Sequence, residues 1–245
     1  GLSAGSTVLV GQAWGAQNVE KVRCIVGSTL FMTLIGGSFI ACLGVIFAEQ
    51  LLILLGTDPK VMHLSLPYVQ WMLAGSPLLF VYIIYTSILR GVGDSVTPLI
   101  ALSLTSLIGL VVTPVLLKGY FGFPELGIIA PAVATIMGYA AVLIFLAFYL
   151  NYKNHPLKID RQLLRSIRHD PSLSKLILKL GIPTGVQMVT TSLAGLVIIG
   201  LVNRYGAHAT AAYGAVNQVL NYIQFPAMSI SIAASIFAAQ AIGAG

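Results

Sequence analysis

The sequence GQAWGAQN, residues 11–18, closes an apolar run near the start of the chain, and a related phrase, AQAIGAG, occupies residues 239–245. When residues 1–17 are aligned with residues 229–245, five positions are identical. The identical pairs are Ser3 with Ser231, Gln12 with Gln240, Ala13 with Ala241, Gly15 with Gly243 and Ala16 with Ala244. We call this alignment the repeat register. In so apolar a chain short matches also arise by chance, so coincidence and an internal repeat are both open at this point.

The composition is that of a membrane protein. Of the 245 residues, 57% are hydrophobic and only 8% are charged, whereas roughly a quarter of a soluble domain is charged. Six apolar stretches each reach the ~20 residues needed to cross hydrocarbon: residues 24–47, 67–89, 96–117, 126–150, 176–202 and 209–242. The first apolar run, residues 2–14, is shorter, and we interpret it as the end of a span that begins upstream.

The basic residues orient these spans. Three of the 13 Lys and Arg residues lie in loops on one side: Lys60, Lys118 and Arg204. The other ten lie in the alternate loops: Lys21, Arg23, Arg90, Lys153, Lys158, Arg161, Arg165, Arg168, Lys175 and Lys179. Because Lys and Arg are retained in the cytoplasm, the first Gly-rich loop is predicted to be cytoplasmic. The net charge of +6 then reflects topology, and the expected partner is the lipid bilayer rather than nucleic acid.

The number of spans provides a second test of the repeat. Six spans separate the two phrases, and because six is even, both phrases end on the cytoplasmic side. This arrangement corresponds to a parallel repeat, in which two halves are related by an axis along the membrane normal, as in many secondary transporters. The predicted fold is therefore an all-α polytopic membrane protein built from two such halves.

A basic connection separates the predicted halves. Residues 151–179 contain seven Lys or Arg residues together with Pro156 and Pro171. We interpret residues 151–175 as a cytoplasmic linker between an N-terminal lobe, residues 1–150, and the start of a C-terminal lobe, residues 176–245. The segment IDRQLLRSIRHD, residues 159–170, is expected to be either a solvated basic linker or a short amphipathic helix on anionic headgroups.

Four segments resemble a known family. RGVGDSVTP, residues 90–98, is similar to the loop between the fourth and fifth spans of the multidrug and toxic compound extrusion (MATE) family. FGFPELGIIAPAVATIMGY, residues 121–139, is similar to the entry into its sixth span, and LGIPTGVQ, residues 180–187, to the start of its seventh. Residues 211–245 resemble the whole eighth span. The order and spacing of the four segments make the resemblance specific.

The resemblance implies a twelve-span, two-lobe transporter of which this chain is a fragment, from the late second span to the end of the eighth. The family members are secondary transporters rather than enzymes. They export organic, often cationic or lipophilic, compounds in exchange for H⁺ or Na⁺ by alternating access. The expected location is a plasma membrane, the bacterial inner membrane, and the expected partners are small organic substrates and the remaining spans of the parent chain. No cofactor is expected beyond the coupling ion.

Cation coupling normally requires a carboxylate within the bilayer. All seven acidic residues fall in loops or at span ends: Glu20, Glu49, Asp58, Asp94, Glu125, Asp160 and Asp170. One branch of the family carries a Glu in the seventh span where this chain has Thr191, and many members carry Asn with Asp or Asn in the fifth span where this chain has Gly109 and Thr113. The resemblance therefore places the coupling site in the first span, outside this chain.

The polar groups within the spans are neutral. Each of the last two spans carries them on one helical face: Thr184, Gln187 and Thr191 in the seventh span, and Tyr213, Asn217, Asn221 and Gln224 in the eighth. We predict that both faces line a substrate cavity, with Tyr213 as an aromatic surface for a cation. Hydrogen bonding between helices is the alternative. Pro226, directly after the eighth-span face, is the hinge candidate.

The segment RGVGDS, residues 90–95, lacks the spacing and the Lys of a nucleotide-binding loop. We interpret Arg90, Gly91, Gly93 and Asp94 as a tight cytoplasmic turn. In it, Asp94 either pairs with Arg90 or caps the next helix. The four His residues are too scattered in the sequence to suggest a metal site.

Two other functions compete with drug antiport. A flippase for lipid-linked glycans in the same superfamily is expected to carry charged residues in its cavity, and none is visible within the predicted spans. A channel or a non-transporting membrane scaffold would give no reason for two matched halves and a polar face at mid-depth.

Overall fold

The computed structural model describes residues 1–54, 57, 59–122, 124–158, 163, 166–167 and 170–245. All regular secondary structure in these residues is helical. The α-helices are α1 (Leu2–Gly15), α2 (Val19–Ile46), α3 (Ala48–Leu54), α4 (Pro59–Ala74), α5 (Ser76–Gly91), α6 (Val96–Lys118), α7 (Ala130–Tyr152), α8 (Pro171–Asn203) and α9 (Ala207–Ala244). Most of the amphipathic segment predicted at residues 159–170 lies outside the described residues.

The helices confirm the all-α polytopic fold. Among the described residues, five helices are long and apolar enough to cross a membrane: α2, α6, α7 with the turn before it, α8 and α9. The pair α4 and α5, bent by 44° at the break between them, has together the length and composition of a sixth span. The bend lies at Gly75, where Pro77 in the first turn of α5 removes a backbone donor. A Cβ at Gly75 would also overlap the side chain of Ile136 in α7, so the close approach of α7 requires glycine here.

Helix α1 is the centre of the bundle. It packs against α2 and α5 on one side and against α8 and α9 on the other. Its apolar face, Leu9, Val10 and Ala13, is buried and belongs to a hydrophobic core to which α2, α5 and α7 contribute. This arrangement joins the helices of the two predicted lobes through one short helix.

The connection between α7 and α8 also contributes to this core. Leu157 and Leu163 are buried, and the Tyr85 hydroxyl in α5 donates to the carbonyl of Leu157 at 2.6 Å. The Arg23 guanidinium donates through Nε to the carbonyl of Pro156 at 3.2 Å. Residues 151–154 of the connection are exposed, whereas Leu157 and Leu163 are not solvated. The high content of Lys and Arg in this connection does not indicate that two of its leucines belong to the core. The composition of a segment does not show which of its side chains face inward.

The phrases that match in sequence meet in space. A Cβ at Gly15 would overlap the backbone carbonyl oxygen of Gln240, and a Cβ at Gly243 would overlap that of Gln12. In the repeat register Gly15 is equivalent to Gly243, and Gln12 is equivalent to Gln240. Each glycine therefore contacts the glutamine of the opposite helix in the same way, as expected for two segments related by a two-fold axis. We call these four residues the reciprocal contact.

A hydrogen bond fixes α9 to the first lobe beside the reciprocal contact. The Gln240 side chain donates through Nε2 to the carbonyl of Gly91, the last residue of α5, at 2.9 Å. A Cβ placed on Gly11 would lie 3.1 Å from the Cβ of Ala239. Ala239 is the residue equivalent to Gly11 in the repeat register. Small residues therefore let the C-terminal ends of α1 and α9 approach to backbone contact.

Replacing Gly15 by Ala tests this packing. The added methyl overlaps a backbone atom that can move only with α9, so we expect the full-length parent to lose about 1–3 kcal/mol of stability. The measurement is the thermal melting temperature in detergent. The matched control is Gly109→Ala, because no atom lies within 4 Å of that Cβ site in α6. A Gly15→Ala protein that melts no lower than the Gly109→Ala protein would contradict the close contact.

Candidate functional site

The polar face of α9 lines a cavity between α8 and α9. The cavity has a volume of about 340 Å³. Its lining is Tyr213, Asn217 and Asn221 with Thr210 and Gly214 from α9, and Gly195, Ile199 and Val202 from α8. We call it the α8–α9 cavity. Three of the four predicted eighth-span residues are thus brought together, whereas Gln224 is not part of the lining.

The amides of this face are only partly satisfied by the protein. Asn217 donates through Nδ2 to the carbonyl of Tyr213 at 3.1 Å, and both residues are half-buried. The amides of Asn221 and Gln224 are exposed and make no hydrogen bond within the described part of the chain. An unpaired amide against hydrocarbon is costly, so this face requires a polar neighbour at membrane depth.

The seventh-span face is arranged differently. The hydroxyl of Thr184 donates to the carbonyl of Leu180 at 3.3 Å, and that of Thr191 donates to the carbonyl of Gln187 at 2.9 Å. Both hydroxyls are therefore satisfied within α8. Neither they nor Gln187 line the α8–α9 cavity, although Thr191 lies one turn before Gly195, which does. Their role in substrate binding stays a prediction.

The hinge candidate lies inside a continuous helix. Helix α9 runs from Ala207 to Ala244 through Pro226, whereas the bent pair of helices is α4 and α5. The hinge role of Pro226 stays a prediction.

The aromatic residues divide by their surroundings. Tyr85 is 2% exposed and is held by its bond to Leu157, and Tyr82 packs on Tyr139 with ring centroids 5.1 Å apart. Tyr222 is 63% exposed, whereas Tyr213 is half-buried and lines a cavity. Tyr82 also lines a cavity, but its ring packs on Tyr139, whereas Tyr213 is in no ring contact in the described part of the chain.

A second cavity, of about 370 Å³, lies between the two lobes. Three helices supply its polar lining: Ser3 and Thr7 of α1, Ser87 and Arg90 of α5, and Ser231 and Ser235 of α9. The fourth helix, α8, contributes Met188. We call it the four-helix cavity. Each polar pair is spaced by three or four residues and so lies on one helical face. Sequence reasoning missed this site because only the packing of α1 brings the pairs together.

The lining includes a charge that the sequence did not reveal. No charged residue is visible within the predicted spans, yet Arg90, in the last turn of α5, lines this cavity. The Arg90 guanidinium donates through Nη2 to the Ser87 hydroxyl at 2.9 Å. Arg90 ends an apolar run and is predicted to lie in the cytoplasmic turn. In the structure, its side chain packs back along α5 toward Ser87.

The turn after α5 is tight. Gly93 has a φ of 90°, in the left-handed region that favours glycine, and a Cβ at Gly91 would lie 3.1 Å from the carbonyl oxygen of Thr7. Asp94 accepts through Oδ1 from the Thr97 N–H at 3.0 Å and through Oδ2 from the Thr97 hydroxyl at 2.5 Å. Asp94 therefore caps α6, and among the described residues it forms no ion pair with Arg90.

His155, in the connection after α7, lies against Asp94 in the turn before α6. Its Nε2 is 3.8 Å from Asp94 Oδ2, and its Nδ1 accepts from the Leu157 N–H at 3.2 Å. Burial lowers the pKa of His155, and Lys153 lowers it further, which together outweigh the opposing charge of Asp94. Burial alone would raise the pKa of Asp94, but the hydrogen bonds from Thr97 and the charges of Lys153 and His155 lower it below its ordinary value.

These shifts predict acid sensitivity at this loop. Because the folded state binds a proton at His155 less readily than the unfolded chain, the contribution of His155 to stability is present above pH ~6.5 and lost as pH falls below it. Asp94 adds a loss at lower pH, below ~3.9. We expect the melting temperature of the full-length parent to fall between pH 7.5 and 5.5, and His155→Gln to flatten that dependence. His63→Gln, at an exposed position, is the control, and an equal flattening by both variants would contradict the assignment.

The fold and its two cavities are those of a polytopic membrane protein whose helices pack around polar space within the bilayer. A family profile makes the relationship specific. The MatE profile matches residues 1–115 and 183–245, and the chain belongs to this family.

Individual relatives agree with this assignment. The probable multidrug resistance protein YoeA of Bacillus subtilis is 44% identical over 244 residues, which cover 100% of this chain and 53% of the relative. The FAD transporter of Shewanella oneidensis is 28% identical over 245 residues, 100% of this chain and 54% of the relative. The chain spans about half the length of the curated relatives it matches.

A solved structure shares the fold. The structure of a transporter of the MOP superfamily from Pyrococcus furiosus superimposes with a TM-score of 0.85 at 22% identity, covering 99% of this chain and 53% of the other. The chain therefore shares the fold of that structure over nearly its whole length.

Proposed function

We propose that this chain forms part of a secondary transporter that exports small organic compounds across the bacterial inner membrane in exchange for H⁺ or Na⁺. The observation that carries the proposal is the reciprocal contact of α1 and α9, which joins the cytoplasmic ends of two matched halves while polar cavities lie between the helices further into the membrane. Membership of the MatE family and the name of the Bacillus relative support it.

Alternating access follows from the nature of the reciprocal contact. The contact consists of glycines against backbone, with one hydrogen bond from Gln240 to Gly91 beside it. Such a contact excludes water when closed but loses few strong interactions when the lobes separate. A lobe movement that opens it would expose the four-helix cavity to the cytoplasm, as in transporters that rock one repeat against the other.

Neutral polar groups would bind the substrate in the α8–α9 cavity. Tyr213 offers a ring face for a flat aromatic or cationic compound, and Asn217 and Asn221 offer amide groups without a fixed charge. We extend the proposal to Thr184, Gln187, Thr191 and Gln224 as neighbours of the pathway and to Pro226 as a hinge.

The coupling ion would bind outside this chain. The described acidic residues lie at helix starts, in short α3 or in loops: Glu20, Glu49, Asp94, Glu125 and Asp170. Asp58 and Asp160 lie outside the described residues. With no carboxylate at mid-depth in the described spans, coupling is assigned to the first span of the parent, as the family resemblance implies.

One observation favours a second candidate, a flippase for lipid-linked glycans. Such a protein needs a cation for an anionic headgroup, and Arg90 provides one in the four-helix cavity. Antiport remains the first candidate because the α8–α9 cavity is neutral and aromatic.

Dye accumulation tests export and coupling together. Cells that express the full-length parent are expected to accumulate less of a fluorescent aromatic cation such as ethidium than cells with an empty vector. A protonophore is expected to abolish the difference if H⁺ is the coupling ion, and removal of external Na⁺ if Na⁺ is. A difference that survives both treatments would contradict cation-coupled antiport.

The α8–α9 cavity is tested by replacing its aromatic residue. Tyr213→Ala is expected to lower ethidium export by about tenfold, since a cation over an aromatic face loses on the order of 1–2 kcal/mol without the ring. The matched control is Tyr222→Ala, which removes an exposed ring from the same helix. Equal export by the two variants would exclude Tyr213 as a binding residue.

A further inference from the structure

The four-helix cavity contains a charge that the proposed export function does not use. Arg90 is the only charged residue among the described residues that line it. The rest of the polar lining consists of five hydroxyls, those of Ser3, Thr7, Ser87, Ser231 and Ser235. A guanidinium surrounded by hydroxyls repels an organic cation, so the electrostatics of this cavity differ from those of the neutral α8–α9 cavity.

The hydroxyls come from equivalent positions of the two halves. Ser3 and Thr7 on α1 correspond, in the repeat register, to Ser231 and Ser235 on α9. The cavity is therefore lined by equivalent hydroxyls of the two ends of the repeat register. Thr7 lies five residues before Gln12 and eight before Gly15, about 7.5–12 Å from the reciprocal contact along α1. The cavity lies beside the last turn of α5, where Gly91 contacts Thr7 and the guanidinium of Arg90 is half-buried, so that a charge interacts more strongly than in bulk water.

Several donors at this site lack an acceptor. The Ser87 hydroxyl oxygen accepts from both Ser3 Oγ at 2.8 Å and Arg90 Nη2 at 2.9 Å, so its own proton is available to a third group. The hydroxyls of Ser231 and Ser235 are exposed and make no hydrogen bond within the described part of the chain, so both can donate to a ligand. In contrast, the hydroxyl of Ser229 on the same helix donates to the carbonyl of Phe225 at 2.9 Å.

No carboxylate neutralises Arg90 among the described residues. The nearest acidic side chain along the chain, Asp94, is held by Thr97 in the cap of α6 and lies against His155. The only hydrogen bond of the Arg90 guanidinium in the described part of the chain goes to Ser87. A half-buried guanidinium with five donors and one bond retains most of its capacity for a ligand.

We infer that the four-helix cavity binds the phosphate group of an organic anion, with Arg90 as the charged partner and Ser87, Ser231 and Ser235 as hydroxyl donors. This inference rests on the proposed function, because it takes the bound anion to be a compound that the protein transports. Arginine suits this role because its planar guanidinium can form two parallel bonds to phosphate oxygens.

The number of donors favours phosphate over carboxylate. One guanidinium can satisfy both oxygens of a carboxylate, which would leave the hydroxyls from the opposite helix unused. A phosphate has a third oxygen that can accept from the serines of α9. The volume of about 370 Å³ equals that of about twelve water molecules, enough for the phosphate and part of the attached group.

Binding of matched probes to the purified full-length parent tests the inference. The soluble pair is 1-naphthyl phosphate and 1-naphthol, which differ only in the phosphate, measured by calorimetry in phosphate-free buffer. We expect the phosphate to bind with a Kd at least tenfold lower than that of the alcohol. A lipid pair, phosphatidic acid and diacylglycerol presented in nanodiscs, distinguishes a lipid headgroup from a soluble phosphate as the source.

Variants assign the binding to the cavity. Arg90→Gln is expected to weaken binding of 1-naphthyl phosphate about tenfold or more and to leave 1-naphthol unchanged, while Arg90→Lys restores part of the affinity. The control is Arg204→Gln, an exposed Arg at the end of α8. The double variant Ser231→Ala, Ser235→Ala is expected to weaken binding severalfold without affecting folding, with Ser229→Ala as its control.

The outcomes separate the inference from the proposed function. Arg90-dependent binding of either phosphate probe supports the inference, even if the export experiment fails, because binding is measured without an ion gradient. Equal affinity of the Arg90→Gln and parent proteins for both phosphate probes would overturn it. If Arg90→Gln does not fold, unchanged binding by the serine double variant overturns it equally.

Discussion

The structure depends on the backbone contact between the C-terminal ends of α1 and α9. Gly15 against Gln240 and Gly243 against Gln12 bring two helices closer than side chains would allow. In a bilayer, burial of apolar area provides little force between helices, so packing at small residues and hydrogen bonds must hold them. The contact sets the position of α1, and α1 in turn contacts the helices of both halves.

The same contact between α1 and α9 also shapes the four-helix cavity. Because α1 and α9 meet at their C-terminal ends, their earlier turns and the end of α5 enclose the four-helix cavity. The α8–α9 cavity has neutral amides and one tyrosine ring, whereas the four-helix cavity has one guanidinium among hydroxyls. The two cavities therefore differ in electrostatic character.

The turn and the linker support the same region from the cytoplasmic side. Asp94 caps α6 through Thr97, which leaves Arg90 free of a carboxylate in the described part of the chain and able to face the cavity. Leu157 enters the core and receives the bond from Tyr85. The polar surface of this region therefore covers a packed apolar interior, and the linker is a structural part of the first lobe.

The sequence by itself determined the class of fold, the number of spans and the repeat. Apolar runs of bilayer length, the distribution of Lys and Arg, and the identities between the two ends of the chain are properties of the chain in one dimension, and the bilayer converts them directly into topology. The Tyr213, Asn217 and Asn221 face was also visible, because helical periodicity places residues on a face without knowledge of the neighbours. Tertiary structure alone decided that the bend lies at Gly75, that Leu157 is buried, and that Arg90 joins five hydroxyls from three helices. These features depend on which faces meet, and in a membrane that choice follows from close packing between helices far apart in sequence.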